Sequence, residues 1–312
     1  MDGIRLVRTV VVLQIAALLV FSGTLCARNS RAWSNGGKSS SAMNPDYGTH
    51  DWIAEHALEW LPAGEKQYLL NNLDVFLYGT ELPDFSDAVG GGGIGDTQKH
   101  HVYYRSDGRI QDDSAAVRAR SVYSEALGHL RAGNLVAAAR SAGTLSHYID
   151  DLAAFPHVMG TSTDWGVEVH HQDYETYVND RTSSYSSSFA TYLTFDGNLE
   201  TLSAYDAVLR LAHDTTFDDS GNGRTAPWMD ANYNWGDASF SARVGRSLTA
   251  ATNVVADVLH TLWNESGRQP DDPMAWLAQN VMIIAAVMAL AVVAIVILLR
   301  SKKRGRNRRR RR

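Results

Sequence analysis

Five side chains of the kinds that bind metal ions lie in one short stretch of the chain. They are His147, Asp151, His157, His171 and Glu175. His147 and Asp151 are four residues apart, as are His171 and Glu175, so on helices each pair projects from one face about one turn apart. Imidazole and carboxylate donors without a thiolate suit catalytic zinc, whereas structural zinc sites usually recruit cysteine.

The helices that carry these side chains are expected to point them inward. Apolar residues at three- and four-residue steps predict helices over 135–154 and 165–178, and His171 and Glu175 share a face with Val167 and Val178. Burying such groups is costly unless hydrogen bonds or a cation neutralise them. A simple buried His–Glu pair is the alternative. Two such helices, joined by a segment that bears His157, favour a metal site, with Asp150 as a rival ligand.

The rest of the central region is predominantly helical in pattern. The same periodicity predicts helices over 51–61, 66–76, 114–130, 199–213 and 240–263. Residues 78–104 form a glycine-rich loop without the phosphate-binding G-K-[ST] pattern, and 215–234 is a second irregular stretch that could be a lid or an insertion. Because no alternating strand series appears, we predict a nearly all-α, multi-helix domain.

Charge is unevenly distributed along the chain. The formal net charge is −5, yet residues 300–312 hold ten basic side chains, while residues 33–276 hold 15 basic against 33 acidic ones. Such a negative central region repels nucleic acids and other polyanions, except where bound cations reverse the field. Cys26 is the only cysteine, so no intrachain disulfide can form.

The C-terminal end has the pattern of a membrane anchor. Residues 277–300 include the uncharged apolar run 281–299, which is long enough to cross a bilayer, and the basic tail 301–312 follows directly. By the positive-inside rule the tail is cytoplasmic. A buried core helix and a nucleic-acid-binding arm are the alternatives, but the length of the run and the adjoining arginines favour a spanning helix whose tail meets anionic lipids.

The N-terminal end has the pattern of an export signal. In residues 1–32, Arg5 and Arg8 precede a short apolar stretch, which indicates a secretory signal peptide or, if it is retained, a signal anchor. In both cases a domain over 33–268, followed by a hinge at 269–276, would face the outside of the cell. We therefore expect a single-pass membrane protein with an extracellular domain.

The spacing H-x3-D-x5-H-x13-H-x3-E, from His147 to Glu175, resembles that of the zinc-dependent phospholipase C family, which is related to the S1/P1 nucleases. The nuclease branch typically has a longer final gap and Asp where this chain has Glu175. The resemblance covers roughly 33–265 and implies an all-helical domain that binds three zinc ions in a cleft.

Residue by residue, the resemblance implies three zinc positions. The first would be bound by Asp84, His147, Asp151 and one of His100 and His101. The second would be bound by His157, His171 and Glu175. The third would be bound by His50, the bridging Asp151 and a mature N-terminal tryptophan, for which Trp33 is the candidate if cleavage follows Ala32.

The implied activity is hydrolysis of a phosphodiester, with Asp84 as the general base or water-orienting carboxylate. Zinc ions neutralise phosphate oxygens and activate water, so an anionic substrate can react inside an acidic domain. We expect a phospholipase C that acts on phospholipid head groups, binds no nucleic acid and needs no obligate protein partner. The alternatives are a single-strand nuclease or nucleotidase of S1/P1 type and a non-catalytic, zinc-containing binding module of the cell surface.

Overall fold

The computed structural model of the protein describes Trp33, residues 46–85 and residues 92–269. The described residues are mostly helical, which confirms the prediction of a nearly all-α domain. The α-helices are, in chain order, α1 (Thr49–Trp60), α2 (Ala63–Leu70), α3 (Leu73–Glu81), α4 (Ser114–Arg131), α5 (Leu135–Asp150), α6 (His171–Thr182), α7 (Ala204–Phe217), α8 (Ala226–Ala231) and α9 (Ala238–Ser266). A small antiparallel hairpin, β1 (Tyr103–Tyr104) and β2 (Ile110–Asp112), precedes α4.

Helix α5 is the central helix of the core. It packs against α3 and α4 and also contacts α1, α7 and α9, and all of its residues from Ser141 to Asp150 are buried. The predicted helix over 135–154 ends earlier, because a 3-10 turn begins at Asp151. The backbone N–H of Asp151 still donates to the carbonyl of His147, so the two side chains keep their one-turn spacing.

Helices α3 and α5 cross at two glycines. A Cβ on Gly143 would lie 1.9 Å from the carbonyl oxygen of Phe76, and a Cβ on Gly79 would lie 2.3 Å from that of Arg140. Only glycine therefore permits this approach of the two backbones. The close crossing brings the end of α3 beside the last turns of α5, where His147 lies.

Helix α6 begins later than the sequence pattern predicts. The prediction of helix from residue 165 is wrong, because Gly166 has a φ of +80° and pairs with Gly160 in an isolated β-bridge. The helix starts at His171, and Val167 is exposed rather than part of a buried face. His171 and Glu175 nevertheless lie at the start of α6, one turn apart.

The predicted helix over 199–213 is shifted toward the C-terminus as α7. The side chain of Ser203 accepts a hydrogen bond from the backbone N–H of Asp206 and caps the helix. Upstream of the cap, the backbone N–H of Glu200 donates to Asp257 of α9 at 2.8 Å. This segment is therefore hydrogen-bonded to α9 and does not form a helix.

Two further boundaries differ from the sequence-based prediction. The helix predicted over 66–76 is divided into α2 and α3, and the Asn72 side chain donates to the carbonyl of Tyr68 at 2.7 Å where the break occurs. The irregular stretch predicted over 215–234 contains the end of α7 and the short helix α8.

Within the part of the chain that the structure describes, no helix combines the length and apolarity needed to cross a membrane. The predicted export segment 1–32, the predicted spanning segment 277–300 and the tail 301–312 lie outside the described residues. The hinge predicted over 269–276 lies outside them as well, apart from its first residue.

Candidate metal centre

Asp151 lies at the centre of the predicted ligands. It follows directly on α5 and is fully buried. Its Oδ2 lies 3.1 Å from Nδ1 of His100 and 3.2 Å from Nε2 of His147. Its Oδ1 lies 3.4 Å from Nε2 of His50 and 3.7 Å from Nε2 of His157. One carboxylate therefore faces imidazoles that come from four separate parts of the chain.

The first donor group joins the end of α3, the loop before β1 and helix α5. Oδ1 of Asp84 lies 3.5 Å from Nδ1 of His100 and 3.7 Å from Nε2 of His147, and the two imidazole nitrogens are 3.3 Å apart. With Asp151 these side chains form the four-residue set expected for the first zinc position.

Of the His100-His101 doublet, the structure brings only His100 into this group. Nε2 of His101 lies 3.4 Å from Asp112, and its ring stacks on Tyr103 with centroids 4.4 Å apart. Consecutive side chains of an irregular segment point in different directions, so one member of the doublet faces inward and the other faces the hairpin. The placement of His101 among the candidate ligands is therefore corrected.

The second donor group consists of His157, His171 and Glu175. Oε1 of Glu175 lies 3.2 Å from Nε2 of His157 and 2.9 Å from Nε2 of His171. Helix α6 supplies two of the three side chains from its first two turns, and the 3-10 turn Phe155–Val158 supplies the third.

The third donor group contains His50, from the first turn of α1, together with His147 and Asp151. The rings of His50 and His147 are stacked with centroids 4.1 Å apart. Trp33 is fully buried, with its ring 6.3 Å from that of Tyr174, the residue before Glu175. The structure thus places Trp33 in the core near α6.

Three of the imidazoles have an oxygen acceptor on the nitrogen that faces away from the centre. Nδ1 of His147 lies 2.7 Å from the carbonyl of Thr80, and Nδ1 of His157 lies 2.9 Å from the carbonyl of His100. Nδ1 of His171 lies 2.8 Å from Oε1 of Glu168. An acceptor at Nδ1 places the proton there, so that Nε2 offers its lone pair to the centre.

The electrostatics of Asp151 favour its charged form. Burial alone would raise the pKa of this carboxyl, but the surrounding imidazoles, chiefly those of His157 and His147, hold it well below its usual value. By contrast, burial raises the pKa of the neighbouring Asp150 well above its usual value. Of these two adjacent buried carboxyl groups, Asp151 therefore favours the charged form and Asp150 favours the neutral form.

Two imidazoles are held by more than one carboxylate. Burial would lower the pKa of His100, yet its contacts with Asp151 and Asp96 raise it to about 10. Burial would also lower the pKa of His171, whereas Glu168 and Glu175 raise it to about 10. A divalent cation can replace these protons as the positive partner of the carboxylates.

The donor atoms fit zinc in type and spacing. Ligands about 2.0–2.1 Å from a tetrahedral zinc ion are about 3.3 Å from one another, and the contacts between donors here run from 2.9 to 3.7 Å. Among the described residues, both nitrogens of His50 and both oxygens of Asp151 are buried without a hydrogen bond of acceptable geometry. Such a set of unsatisfied buried donors is stabilised by bound cations.

A cavity of about 230 Å³ adjoins the donors. His100, His157 and His171 line it together with Tyr103 and Glu168. A larger cavity of about 670 Å³ lies between α7 and α9, but none of the candidate ligands lines it. We assign the reaction site to the smaller cavity, because only a space that touches the donor atoms can bring a substrate to them.

The sequence did not identify the groups that contact the imidazole nitrogens on the side away from the metal centre. Glu168 lies three residues before His171, and this spacing on the helix expected over 165–178 is the signal that could have identified the pair. Asp96 contacts His100 from the loop, where its Oδ1 lies 3.8 Å from Nε2. Thr80 acts through its backbone carbonyl, for which the sequence carries no signal.

A family of sequences described as zinc dependent phospholipase C matches residues 49–220. No curated protein matches the chain. Among solved structures, the alpha toxin of Clostridium absonum is 16% identical, with a TM-score of 0.49, and the match covers 75% of this chain and 68% of that chain. The alpha-toxin of an avian strain of Clostridium perfringens is 15% identical, with a TM-score of 0.45 and the same coverage. The family match spans every predicted ligand except Trp33.

Proposed function

Because this chain belongs to the zinc dependent phospholipase C family, we propose that it is a membrane-anchored enzyme that hydrolyses phospholipids outside the cell. The family match confirms the resemblance inferred from the ligand spacing and the assignment of the chain as a hydrolase of phospholipase C type. The choice of phospholipid head groups as substrate, the anchor and the extracellular location are the proposed parts.

One observation carries the proposal: three donor groups lie around a single buried carboxylate, Asp151, beside a cavity, and each group has an imidazole that faces this carboxylate. The groups are Asp84, His100 and His147; His157, His171 and Glu175; and His50 with His147 and Asp151. A cluster of cations in this position would neutralise a phosphodiester that enters the cavity, although the domain around it is acidic.

Zinc ions bound here would supply Lewis-acid stabilisation of the phosphate oxygens and lower the pKa of the attacking water. The side chain of Asp84 is 9% exposed, and its Oδ1 is close to both His100 and His147. We assign Asp84 the role of accepting the proton of that water. The water oxygen bonds to phosphorus, the bond from phosphorus to the glycerol oxygen breaks, and the alcohol leaves with a proton.

The third position depends on how the N-terminus is processed. If cleavage made Trp33 the first residue, its amino group and carbonyl would complete a set with His50 and Asp151, as the family resemblance implies. Trp33 is buried beside α6, so this part of the chain lies in the core of the domain. N-terminal sequencing of the protein purified from membranes tests it, because a terminus elsewhere would leave the third position without an amine donor.

The zinc content and activity of the full-length chain test the proposal. We expect two to three zinc ions per chain and chelator-sensitive hydrolysis of phosphatidylcholine to diacylglycerol and phosphocholine. His171→Ala should lose most activity and at least one zinc ion. The matched control is His170→Ala, because His170 contacts Asp173 at 2.9 Å and stacks on Tyr233, outside the donor groups.

The same experiment separates the alternatives. Release of mononucleotides from single-stranded nucleic acid, without lipid hydrolysis, would replace the proposal with a nuclease or nucleotidase. Bound zinc without turnover of any phosphodiester would indicate a non-catalytic binding module. Glu175 and the excess of acidic side chains in residues 33–276 argue against the nuclease, and the cavity beside the donors argues against a closed, purely structural zinc site.

The proposed anchor rests on the apolar run within 277–300 and the basic tail 301–312. A chain with an epitope tag after residue 312 should stay in the membrane fraction after high-salt washing. In intact cells, protease should cut the domain and spare the tag. Release of the protein by salt, or digestion of the tag in intact cells, would contradict the anchored topology.

A further inference from the structure

Asp150 is a buried carboxyl group that the proposed zinc positions do not use. It is the last residue of α5 and is fully buried. Neither of its oxygens has a hydrogen-bond partner among the described residues. A buried carboxyl group without a partner is strongly unfavourable, so its presence calls for a compensating contact.

The contact nearest to it is His50. Oδ2 of Asp150 lies 3.5 Å from Nδ1 of His50, and on the other side of the ring Nε2 lies 3.4 Å from Oδ1 of Asp151. Both nitrogens of His50 also lack a hydrogen bond. Two ring nitrogens of His50 and two carboxyl oxygens, Oδ2 of Asp150 and Oδ1 of Asp151, are therefore buried next to one another without a hydrogen bond.

Three of the other candidate imidazoles indicate how these atoms are used, whereas His100 directs Nδ1 to the donor group instead. His147 and His157 direct Nδ1 to a backbone carbonyl, and His171 directs Nδ1 to Glu168. In each case Nε2 faces the donor group. His50 has the same orientation, and the oxygen nearest to its Nδ1 is Oδ2 of Asp150.

We propose that Asp150 is the positioning residue of His50: it accepts the Nδ1 proton and holds Nε2 toward the cation shared with Asp151. This inference rests on the proposed zinc-dependent function. Asp150 is not itself placed as a ligand, because its oxygens belong to none of the three donor groups. An oxygen acceptor behind a ligating imidazole, whether it belongs to a carboxyl group or to a carbonyl, fixes the ring and the direction of its donor nitrogen.

The arrangement also links Asp150 to occupancy of the third zinc position. When a cation binds Nε2 of His50, it draws electron density from the ring and makes the Nδ1 proton a better donor to Asp150. We expect the contact of 3.5 Å between Nδ1 of His50 and Oδ2 of Asp150 to shorten to a hydrogen bond when that cation binds. Asp150 is thus stabilised when the third position is filled and remains unsatisfied when that position is empty.

Zinc titrations of the purified full-length chain test this role. Asp150→Ala should weaken one zinc equivalent by about 10–100-fold, the usual cost of losing a group behind a ligand, while the other equivalents keep their affinity. Asp150→Asn should weaken the same equivalent less, because the amide oxygen can still accept the Nδ1 proton. Competition with graded chelators, followed by metal analysis, gives the affinities.

Thermal unfolding distinguishes positioning from a general structural role. The rise in Tm that zinc produces should shrink in both Asp150 variants. The matched control is Asp218→Asn, because Asp218 is also buried but accepts hydrogen bonds from Arg224 and Ser220 at the end of α7. The Asp218→Asn substitution should change Tm by the same amount in the presence and in the absence of zinc. It should leave all zinc affinities unchanged.

Each other result rejects the inference. If the unmodified chain binds zinc and Asp150→Ala binds it with the same affinities, Asp150 has no positioning role and the proposed function stands. If Asp150→Ala loses all zinc equally, the role is structural. If the unmodified chain binds no zinc, both the inference and the proposed function fail.

Discussion

At the scale of single residues, the centre depends on the two nitrogens of each imidazole. One nitrogen faces a donor group and the other faces an oxygen: a carbonyl for His147 and His157, and a carboxylate for His171. Because a neutral imidazole carries a single proton, the oxygen determines which nitrogen is free to bind a cation. The orientation of the ligands is therefore built into the protein before any metal binds.

The histidine doublet provides a direct test of this arrangement. His100→Ala removes a nitrogen that lies 3.1 Å from Asp151 and 3.5 Å from Asp84, so we expect loss of one zinc ion and of more than about 99% of the activity, since even groups behind ligands contribute 10–100-fold. His101→Ala should keep the full zinc content, because its contacts are Asp112 and Tyr103. Metal analysis of both variants checks this, and loss of zinc from His101→Ala would contradict the assignment.

Glu168 gives a second prediction at the same scale. Glu168→Ala leaves Nδ1 of His171 without its acceptor, so affinity for the zinc held by His157, His171 and Glu175 should fall about 10–100-fold. Asp173→Ala is the control, because it removes the corresponding carboxylate of His170 outside the donor groups. Chelator competition measures both affinities. Equal effects of the two substitutions would show that Glu168 does not act through His171.

The sequence predicted the residue types of the centre better than their surroundings. Helical spacing paired His147 with Asp151 and His171 with Glu175, because periodicity fixes which side chains lie one turn apart. His157 joined them through the spacing that resembles the family pattern. Whether His100 or His101 points inward could not be decided, since no period governs an irregular loop. The carbonyl of Thr80 behind His147 was also inaccessible to prediction, because any residue type carries a carbonyl.

At the scale of elements, positions within helices were more predictable than helix ends. The pair His171 and Glu175 lies on a helix as expected, yet that helix starts at His171, since Gly166 adopts a left-handed conformation before it. Similarly, Asp151 lies in a 3-10 turn after α5 and still keeps its spacing from His147. A helix end is determined by the conformation or the cap of a single residue. The apolar periodicity that predicts a helix is supported by many residues together.

The crossing of α3 and α5 gives a prediction for elements. Gly143→Ala would place a methyl group 1.9 Å from the carbonyl oxygen of Phe76. The two helices would have to separate, so unfolding free energy should fall by about 1–3 kcal/mol, and zinc affinity should fall because Thr80 would move from His147. Chemical denaturation and zinc titration measure the two effects.

The control for this crossing is another helical glycine with free space. A Cβ on Gly128 of α4 would meet nothing within 4 Å, so Gly128→Ala should stabilise the protein by about 0.5–1 kcal/mol through its higher helix propensity. Destabilisation by both substitutions, or by neither, would show that the close approach of α3 and α5 does not decide the outcome.

At the scale of the whole domain, the donors join segments that are distant in the chain. His50 is in α1, Asp84 follows α3, His100 is in the loop before β1, Asp151 follows α5 and Glu175 is in α6. Cations at the centre would therefore link most of the described helical domain. Without them, Asp151 faces His50 and His157 only through contacts of 3.4 and 3.7 Å.

Removal of metal should consequently destabilise the whole domain as well as stop catalysis. A bound ion stabilises the folded state by about 2.7 kcal/mol when its free concentration is 100 times its Kd, so a strong chelator should lower Tm by several degrees. Zinc should restore both Tm and activity, whereas magnesium should restore neither, because Mg²⁺ prefers oxygen ligands and His100, His147, His157 and His171 supply nitrogen. Calorimetry with metal analysis checks this for the full-length chain. An unchanged Tm in protein that has lost its zinc would show that the centre forms without cations, and the imidazoles and carboxylates would then have to be held by the helices alone.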